Sequence, residues 1–518
     1  RRLTDRLSAL AARRRAADAV VLYETLRQRD IPVPLWAERD IAGSYLELRR
    51  PQEALALYQR AVDANPDDFD ANLGLFYALV ETEQLDAATE HIDRYAARLP
   101  ERRHLDGRYN GERLSADITA DRVRLFADRL AEAQARIDAR HDAIPYNSEA
   151  RQSSASLALA RGWPQQGDEM LRRTLGSDPI NPALHADLSE NRLTLQDWSA
   201  ARAALDYAAG LDPDNGAVRR ASRSYELYDS YELYVEAGYG EGQDVNYFGS
   251  RDWSIDSFLY SRPIAENWRI FAHNYSASAD FYGENQTWIR TGAGAEWRHL
   301  GWRLTGEVNG GSGVKVGATG TVRWKPDDAW TFYGAAESVT NQIPLRAVAD
   351  GVYASRLSVG ADWRQHESRK LALGVYSSDF SDGNLRTGVN AAWFERWASG
   401  PKWMFETILG ADASRNSLDT SVNYFNPKSD RSLWLTAAVE NLTRRSYDHA
   451  FRQRLALTGG TYWQEGYDAG AIEAIEYSHR WELDRDLSLR YGIGHMLRPY
   501  DGEREGRTFG NLVLLWRF

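Results

Sequence analysis

The chain of 518 residues predicts a multidomain α + β fold: an all-α superhelix of repeats over 1–224, then a sixteen-stranded antiparallel transmembrane β-barrel over 230–518. Three observations carry that expectation. Prolines recur at a spacing of 34 residues in the first part. Polarity alternates with a period of two in the second, over about sixteen segments of roughly ten residues each. The last strand, Thr508-Phe-Gly-Asn-Leu-Val-Leu-Leu-Trp-Arg-Phe518, sets Leu512, Leu514, Trp516 and Phe518 on one face.

Residues 1–224 are rich in Ala, Leu, Arg and Asp and read as helix throughout. Pro66 and Pro100 are 34 residues apart, as are Pro179 and Pro213, which is the tetratricopeptide length. Counting back from Pro66 puts Ile41, Ala42, Tyr45, Ala54, Tyr58 and Ala61 at packing positions, and from Pro213 Leu188, Ala201, Leu205 and Ala208. Small residues are needed where two helices cross closely, and large ones where the next repeat stacks. Asn-Pro-Asp-Asp at 65–68 and Asp-Pro-Asp-Asn at 212–215 supply a turn and the next helix start. Clear repeat pairs therefore cover 35–102 and 148–215. The interval from Pro100 to Pro179 is not a multiple of 34, so 103–147 reads as an irregular repeat or an insertion. Such arrays present a concave face from the first helix of each repeat, a surface for binding. Asp70, Tyr77, Glu149, Gln152 and Glu190 project there by repeat position.

From Ser230 the period changes. Leu233, Val235, Ala237 and Tyr239 alternate with Glu232, Tyr234, Glu236 and Gly238; Trp302, Leu304, Gly306 and Val308 with Arg303, Thr305, Glu307 and Asn309. Trp268, Trp302, Trp324, Trp330 and Trp403 fall at strand ends, where interfacial girdles lie. Connections alternate between short ones, such as His299-Leu-Gly301 and 325–329, and longer ones, such as 240–251, 340–351, 415–431 and 497–506. Gly310-Gly-Ser-Gly313 is a short connection where a long one is expected. The closing aromatic stripe resembles the final-strand signal of bacterial outer-membrane barrels.

Composition agrees. The mean hydropathy of −0.57 and the lack of an apolar run of about 18 residues exclude membrane helices, but not barrel strands, half of whose residues face water. Eighteen Trp and 27 Tyr suit girdles, although a large soluble sandwich would use them as cross-strand pairs. The lack of cysteine removes disulfides and thiolate chemistry, and a net charge of −11 argues against nucleic acid. The chain opens on Arg1-Arg-Leu-Thr-Asp within a helical pattern, so a fragment without its export signal and upstream sequence is expected.

A barrel of this size holds an aqueous channel, and its chemistry lies on the inward face. Alternation puts Glu232, Glu236, Asp256, Glu296, Glu307, Glu337, Asp362, Glu406, Asp412, Glu440, Glu476 and Glu482 there as polymer-path candidates. It also puts Arg290, Arg298, Arg303, Arg323, Arg356, Arg364, Arg386, Arg452, Arg454 and Arg490 inside. Most of these charges would form a cross-strand ion-pair lattice. Carboxylates outnumbering their partners along one side would attract a polymer bearing ammonium groups. Tyr234, Tyr260, Tyr333, Tyr376 and Phe394 would stack on sugar rings, through sites that are many and weak. No catalytic motif, metal-ligand spacing or cofactor fingerprint is present, so neither catalytic residues, a metal nor a cofactor is expected, and the chain is not expected to be an enzyme. A lipase-type barrel or a membrane-anchored interaction scaffold are the competing classes.

Repeats followed by a barrel, with the tail Arg490-Tyr-Gly-Ile-Gly-His-Met-Leu-Arg-Pro-Tyr-Asp-Gly-Glu-Arg-Glu505 and the closing Leu-Trp-Arg-Phe518, resemble the poly-β-1,6-N-acetyl-D-glucosamine (PNAG) export porins of the bacterial outer membrane. The resemblance spans nearly the whole chain. It implies a repeat domain in the periplasm that engages the polymer, its deacetylase, or both. It also implies passage of a partly de-N-acetylated glucosamine polymer through an acidic lumen, pushed by an inner-membrane synthase. Cellulose exporters share the layout and are the alternative within the class.

Overall fold

A computed structural model describes residues 2–102, 107–242, 249–281, 284–311, 314–418 and 422–518, apart from the side chains of 314 and 315. Contacts divide the chain into two units, Arg1–Leu157 with Arg445–Tyr447, and Ala158–Arg444 with Asp448–Phe518.

The first unit is built from α1 (Arg2–Ala12), α2 (Ala16–Gln28), α3 (Leu35–Glu47), α4 (Pro51–Ala64), α5 (Phe69–Glu81), α6 (Leu85–Arg98), α7 (Gly111–Phe126), α8 (Leu130–Ala143) and most of α9 (Ser148–Arg161). Ile41, Ala42, Tyr45, Ala54, Tyr58 and Ala61 are all buried, as the repeat spacing requires. The close crossing is visible at Gly74 on α5, where an added Cβ would lie 2.1 Å from the Tyr58 ring. Asp68 caps α5 by accepting from the Ala71 N–H at 2.9 Å, and Pro51 opens α4 at a position with no hydrogen bond to lose. The irregular segment 103–147 contains a further helix pair, α7 and α8. The spacing breaks because α6 ends at Arg98 and α7 begins only at Gly111; residues 103–106 lie outside the described residues.

The second unit begins with α10 (Pro164–Leu175), α11 (Pro182–Leu195), α12 (Trp198–Leu211) and α13 (Gly216–Tyr228). Sixteen strands follow: β1 (Glu232–Gly242), β2 (Arg251–Tyr260), β3 (Trp268–Phe281), β4 (Glu284–His299), β5 (Trp302–Gly311), β6 (Val314–Trp324), β7 (Trp330–Glu337), β8 (Ala354–His366), β9 (Arg369–Phe380), β10 (Leu385–Ser399), β11 (Trp403–Asn416), β12 (Ser429–Ser446), β13 (His449–Gln464), β14 (Gly470–Glu482), β15 (Leu487–Tyr500) and β16 (Glu503–Arg517). Each neighbours the next, and β1 pairs with β16 from Glu232↔Arg517 to Gly242↔Arg507, closing the barrel without an edge.

The outward face carries exposed Leu357, Val359, Leu373, Val375, Leu433 and Leu435, a lipid-facing stripe. Trp302 stacks on Trp324 with ring centroids 5.1 Å apart, at adjacent strand ends. The turn from β4 into β5 uses Leu300 and Gly301, both with positive φ, and Gly301 packs so tightly that a Cβ would meet the Lys325 carbonyl at 2.5 Å.

The loop asymmetry is smaller than the sequence predicts. The expected long loop 497–506 is a tight turn: β15 runs to Tyr500, β16 starts at Glu503, and Asp501 and Gly502 both adopt positive φ. The Gly310–Gly313 connection and the loop 240–251 lie partly outside the described residues, as does 415–431. The long outer loop 338–353 instead folds inward as a lid. Its short helix α14 (Leu345–Ala349) reaches β3 and β4, and Ile343, Ala347 and Val348 pack with Trp288, Phe380 and Tyr424. Trp288 Nε1 donates to Asn341 Oδ1 at 3.1 Å, and Tyr424 stacks on Phe380 and donates to Asp382 at 2.8 Å.

Candidate functional site

Strand register fixes which side chains line the lumen. Glu236 opposes Asp256, Glu296 opposes Arg269 and Thr305, and Glu307 opposes Thr319 across the inward rows. All twelve carboxylates expected inside occupy these inward registers, but most are engaged by cations. Glu232 takes Arg517 at 2.9 Å and Arg269 at 3.3 Å. Glu296 meets Arg269, Arg298 and Arg303 at 2.8, 3.1 and 3.5 Å. His273 bridges Asp256 and Glu307, 2.8 Å from each, with its ring stacked on Phe258. Asp362 pairs with Lys370 at 2.7 Å, Glu406 with Arg454 at 3.1 Å, and Arg452 serves both Glu440 at 3.5 Å and Glu482 at 2.6 Å. Glu337 faces Arg356 in register.

The expected surplus of carboxylate along one side is therefore confined to a few positions. Glu236 accepts from the Tyr234 hydroxyl at 2.7 Å, Asp412 from Ser432 at 3.2 Å and Trp434 Nε1 at 3.1 Å, and Glu476 from Asn511 at 3.0 Å. Asp430, which the sequence reading missed, accepts from Tyr462 at 3.1 Å and from Ser414. Among the described residues none of these four has an ion pair. Also missed were Asp252, held by Arg507 at 2.6 Å, and the inward cations Arg269 and Lys370. Each follows from extending the alternation one or two residues toward its strand end.

In the first unit Arg122 on α7 gathers three of the predicted groove residues. It donates to Gln152 Oε1 at 3.1 Å, the Glu149 carbonyl at 3.3 Å and Ser153 Oγ at 2.7 Å, and it lies within electrostatic reach of Tyr77. Asp70 stands apart and exposed, 3.8 Å from Arg39. Glu190 belongs to the second unit. Burial holds its carboxyl above the ordinary range, against the pull of Arg220 at 3.7 Å. It lines a cavity of about 530 Å³ shared with Trp198, Tyr228, Glu232, Arg269 and Arg517.

That cavity exists because α10–α13 are fastened to the barrel turns. Arg161 at the end of α9 pairs with Glu367 at 2.7 Å, and Trp163 Nε1 donates to the Gln365 carbonyl at 2.8 Å. Asp328, on the β6–β7 turn, accepts from the Gln165 and Gln166 N–H groups at 2.9 and 3.0 Å and so caps the open start of α10. Trp198 Nε1 donates to the Arg298 carbonyl at 3.2 Å while its ring stacks on Tyr228 at 4.1 Å. The last repeats thus lie over the short-turn mouth of the lumen.

Comparison with known proteins agrees with this architecture. A tetratricopeptide-repeat family model matches residues 45–107. Curated relatives named poly-beta-1,6-N-acetyl-D-glucosamine export protein, from Escherichia coli K12 and O157:H7, are each 27% identical over 99% of this chain. The chain spans 65% of the length of those relatives. A solved bacterial polysaccharide outer membrane secretin superposes with a TM-score of 0.53 at 25% identity, over 56% of this chain and 99% of that one. The model of the PgaA membrane beta barrel domain matches residues 227–518, more than half of the sequence. The chain belongs to the PgaA family of outer-membrane β-barrels.

Proposed function

We propose that this protein exports a biofilm exopolysaccharide, partly de-N-acetylated poly-β-1,6-N-acetyl-D-glucosamine, from the periplasm to the cell surface through the barrel. The single observation that carries the reading is the set Glu236, Asp412, Asp430 and Glu476, inward carboxylates with hydrogen bonds but no ion pair among the described residues. Spread along the wall, they offer scattered glucosamine ammonium groups many shallow sites and no deep one, as transport demands. Tyr234 and Trp434 stand beside two of them as faces for sugar rings. The paired carboxylates Glu296, Glu307 and Asp362 act in this reading as wall structure.

The repeats lie in the periplasm and bind the polymer, its deacetylase, or both; Tyr77, Glu149 and Gln152 around Arg122 are the groove this reading favours, with Asp70 and Glu190 as further contacts. A synthase in the inner membrane supplies the push. In planar bilayers the full chain is expected to favour cations, and glucosamine oligomers are expected to interrupt the current. Neutralising Glu236, Asp412, Asp430 and Glu476 together would reduce both effects. Anion preference in the parent, or unchanged block in the variant, would refute the charge argument. Deleting the gene and finding normal secreted polymer would refute export itself.

A further inference from the structure

Arg298, Arg303 and Arg323 stand directly opposite one another across β4, β5 and β6, all facing the lumen within one residue of the strand ends. Like charges in that relation destabilise a sheet. One carboxylate, Glu296, serves Arg298 and Arg303, and Arg269 shares it. Arg323, Lys325 and Arg364 have no ion pair among the described residues. Nearby Asp328 is already occupied by the start of α10.

Three of these cations, Arg303, Arg323 and Lys325, line a cleft of about 330 Å³. Its opposite lip is made by the docked helices, with Gln165, Thr194 and Gln196 offering amide and hydroxyl groups. Arg364 lies alongside, its guanidinium so close to Gly162 that a Cβ there would fall 2.6 Å from Cζ. A volume at the low end of ligand sites admits one sugar-sized group. Fixed guanidinium forks are matched to carboxylate and phosphate oxygens.

We propose that this cleft is an oxyanion site at the helical mouth of the lumen, taking a carboxylate or phosphate group. The group is carried on the glycan in transit or comes from solution as a free anion; only the first source rests on the export reading. The cationic row then does for acidic substituents what the unpaired carboxylates do for ammonium groups, and the conduit handles a chain of both signs.

The test uses the full chain in planar bilayers, with short oligogalacturonates, chitotetraose or inorganic phosphate added on the helical side. Phosphate binding is followed in parallel by phosphorus NMR line width. The parent is expected to be blocked by the carboxylated oligomer at a concentration at least about tenfold below that of the neutral one, as for charge-assisted contacts. The Arg323→Gln/Lys325→Gln variant, checked for a folded barrel by heat-modifiable gel mobility, is expected to lose that preference. Phosphate binding that the variant abolishes, without preferential block by the oligomer, supports the site with solution as its source. Equal block by both oligomers together with no phosphate binding, or identical behaviour of parent and variant, overturns the proposal. Should glucosamine oligomers fail to enter the lumen, the export reading falls while the phosphate arm still decides this one.

Discussion

Replacing Glu296 by Gln should be the most damaging single isosteric change in the barrel wall. Its side chain is 3% exposed and touches three guanidiniums, at 2.8, 3.1 and 3.5 Å. Arg269 would keep Glu232 at 3.3 Å, but Arg298 and Arg303 would lose the carboxylate they share. Removing one member of a buried ionic cluster typically costs about 3–5 kcal/mol, because the remaining charges stay desolvated and uncompensated. Arg303 is 39% exposed, so Arg303→Gln should cost less than about 1 kcal/mol. Combining it with Glu296→Gln should restore part of the loss, since it removes one of the orphaned cations. The assay is urea unfolding of the protein folded in phospholipid vesicles, followed by tryptophan fluorescence and gel mobility. A Glu296→Gln protein within about 1 kcal/mol of the parent would refute the reasoning, as would a double variant weaker than the sum of the singles.

Asp328→Ala should free the first N–H groups of α10 at a cost of about 1 kcal/mol, read as faster amide exchange at Gln165 and Gln166; unchanged exchange would show that the cap does not hold the helix. The raised pKa of Glu190, caused by burial, makes the folded state bind its proton more tightly than the unfolded chain does. Its contribution to stability is therefore full below the ordinary carboxylate value and lost as pH rises through the raised one. Glu190→Gln should flatten that part of a melting-temperature profile, and a profile parallel to the parent's would contradict the assignment. Ala347→Glu puts a carboxylate at a fully buried position of the lid, so single-channel conductance should rise severalfold; an unaltered current would mean that the loop does not obstruct the path.

The barrel was legible because each strand has oil on one side and water on the other, so the alternation cannot slip by one residue without inverting every side chain. That is why Glu236, Asp412 and Glu476 fall on the face expected of them. The charge balance was less legible. Alternation says that Glu296 and Arg303 point inward, but their meeting depends on the stagger between β4 and β5. Arg161 and Glu367 are 206 residues apart, and no local pattern joins a helix end to a barrel turn at that distance. The lid was hidden for a similar reason: nothing local to Trp288 marks that Asn341 and α14, more than fifty residues on, pack against it. The polar flanks of 497–506 read as loop, whereas Asp501-Gly502 alone, both at positive φ, makes the tight hairpin that such a pair favours.

The apolar packing of Ile343, Ala347 and Val348 against Trp288, Phe380 and Tyr424 bears on what crosses when no cargo is present. A tube of sixteen strands left unobstructed would admit toxic solutes of a few hundred daltons, undoing the barrier that surrounds the cell. A greasy stopper resists wetting, so a lumen that it spans would stay tight. On the export reading proposed above, a polymer threaded from the helical side would have to gain more by its passage than the stopper loses by parting.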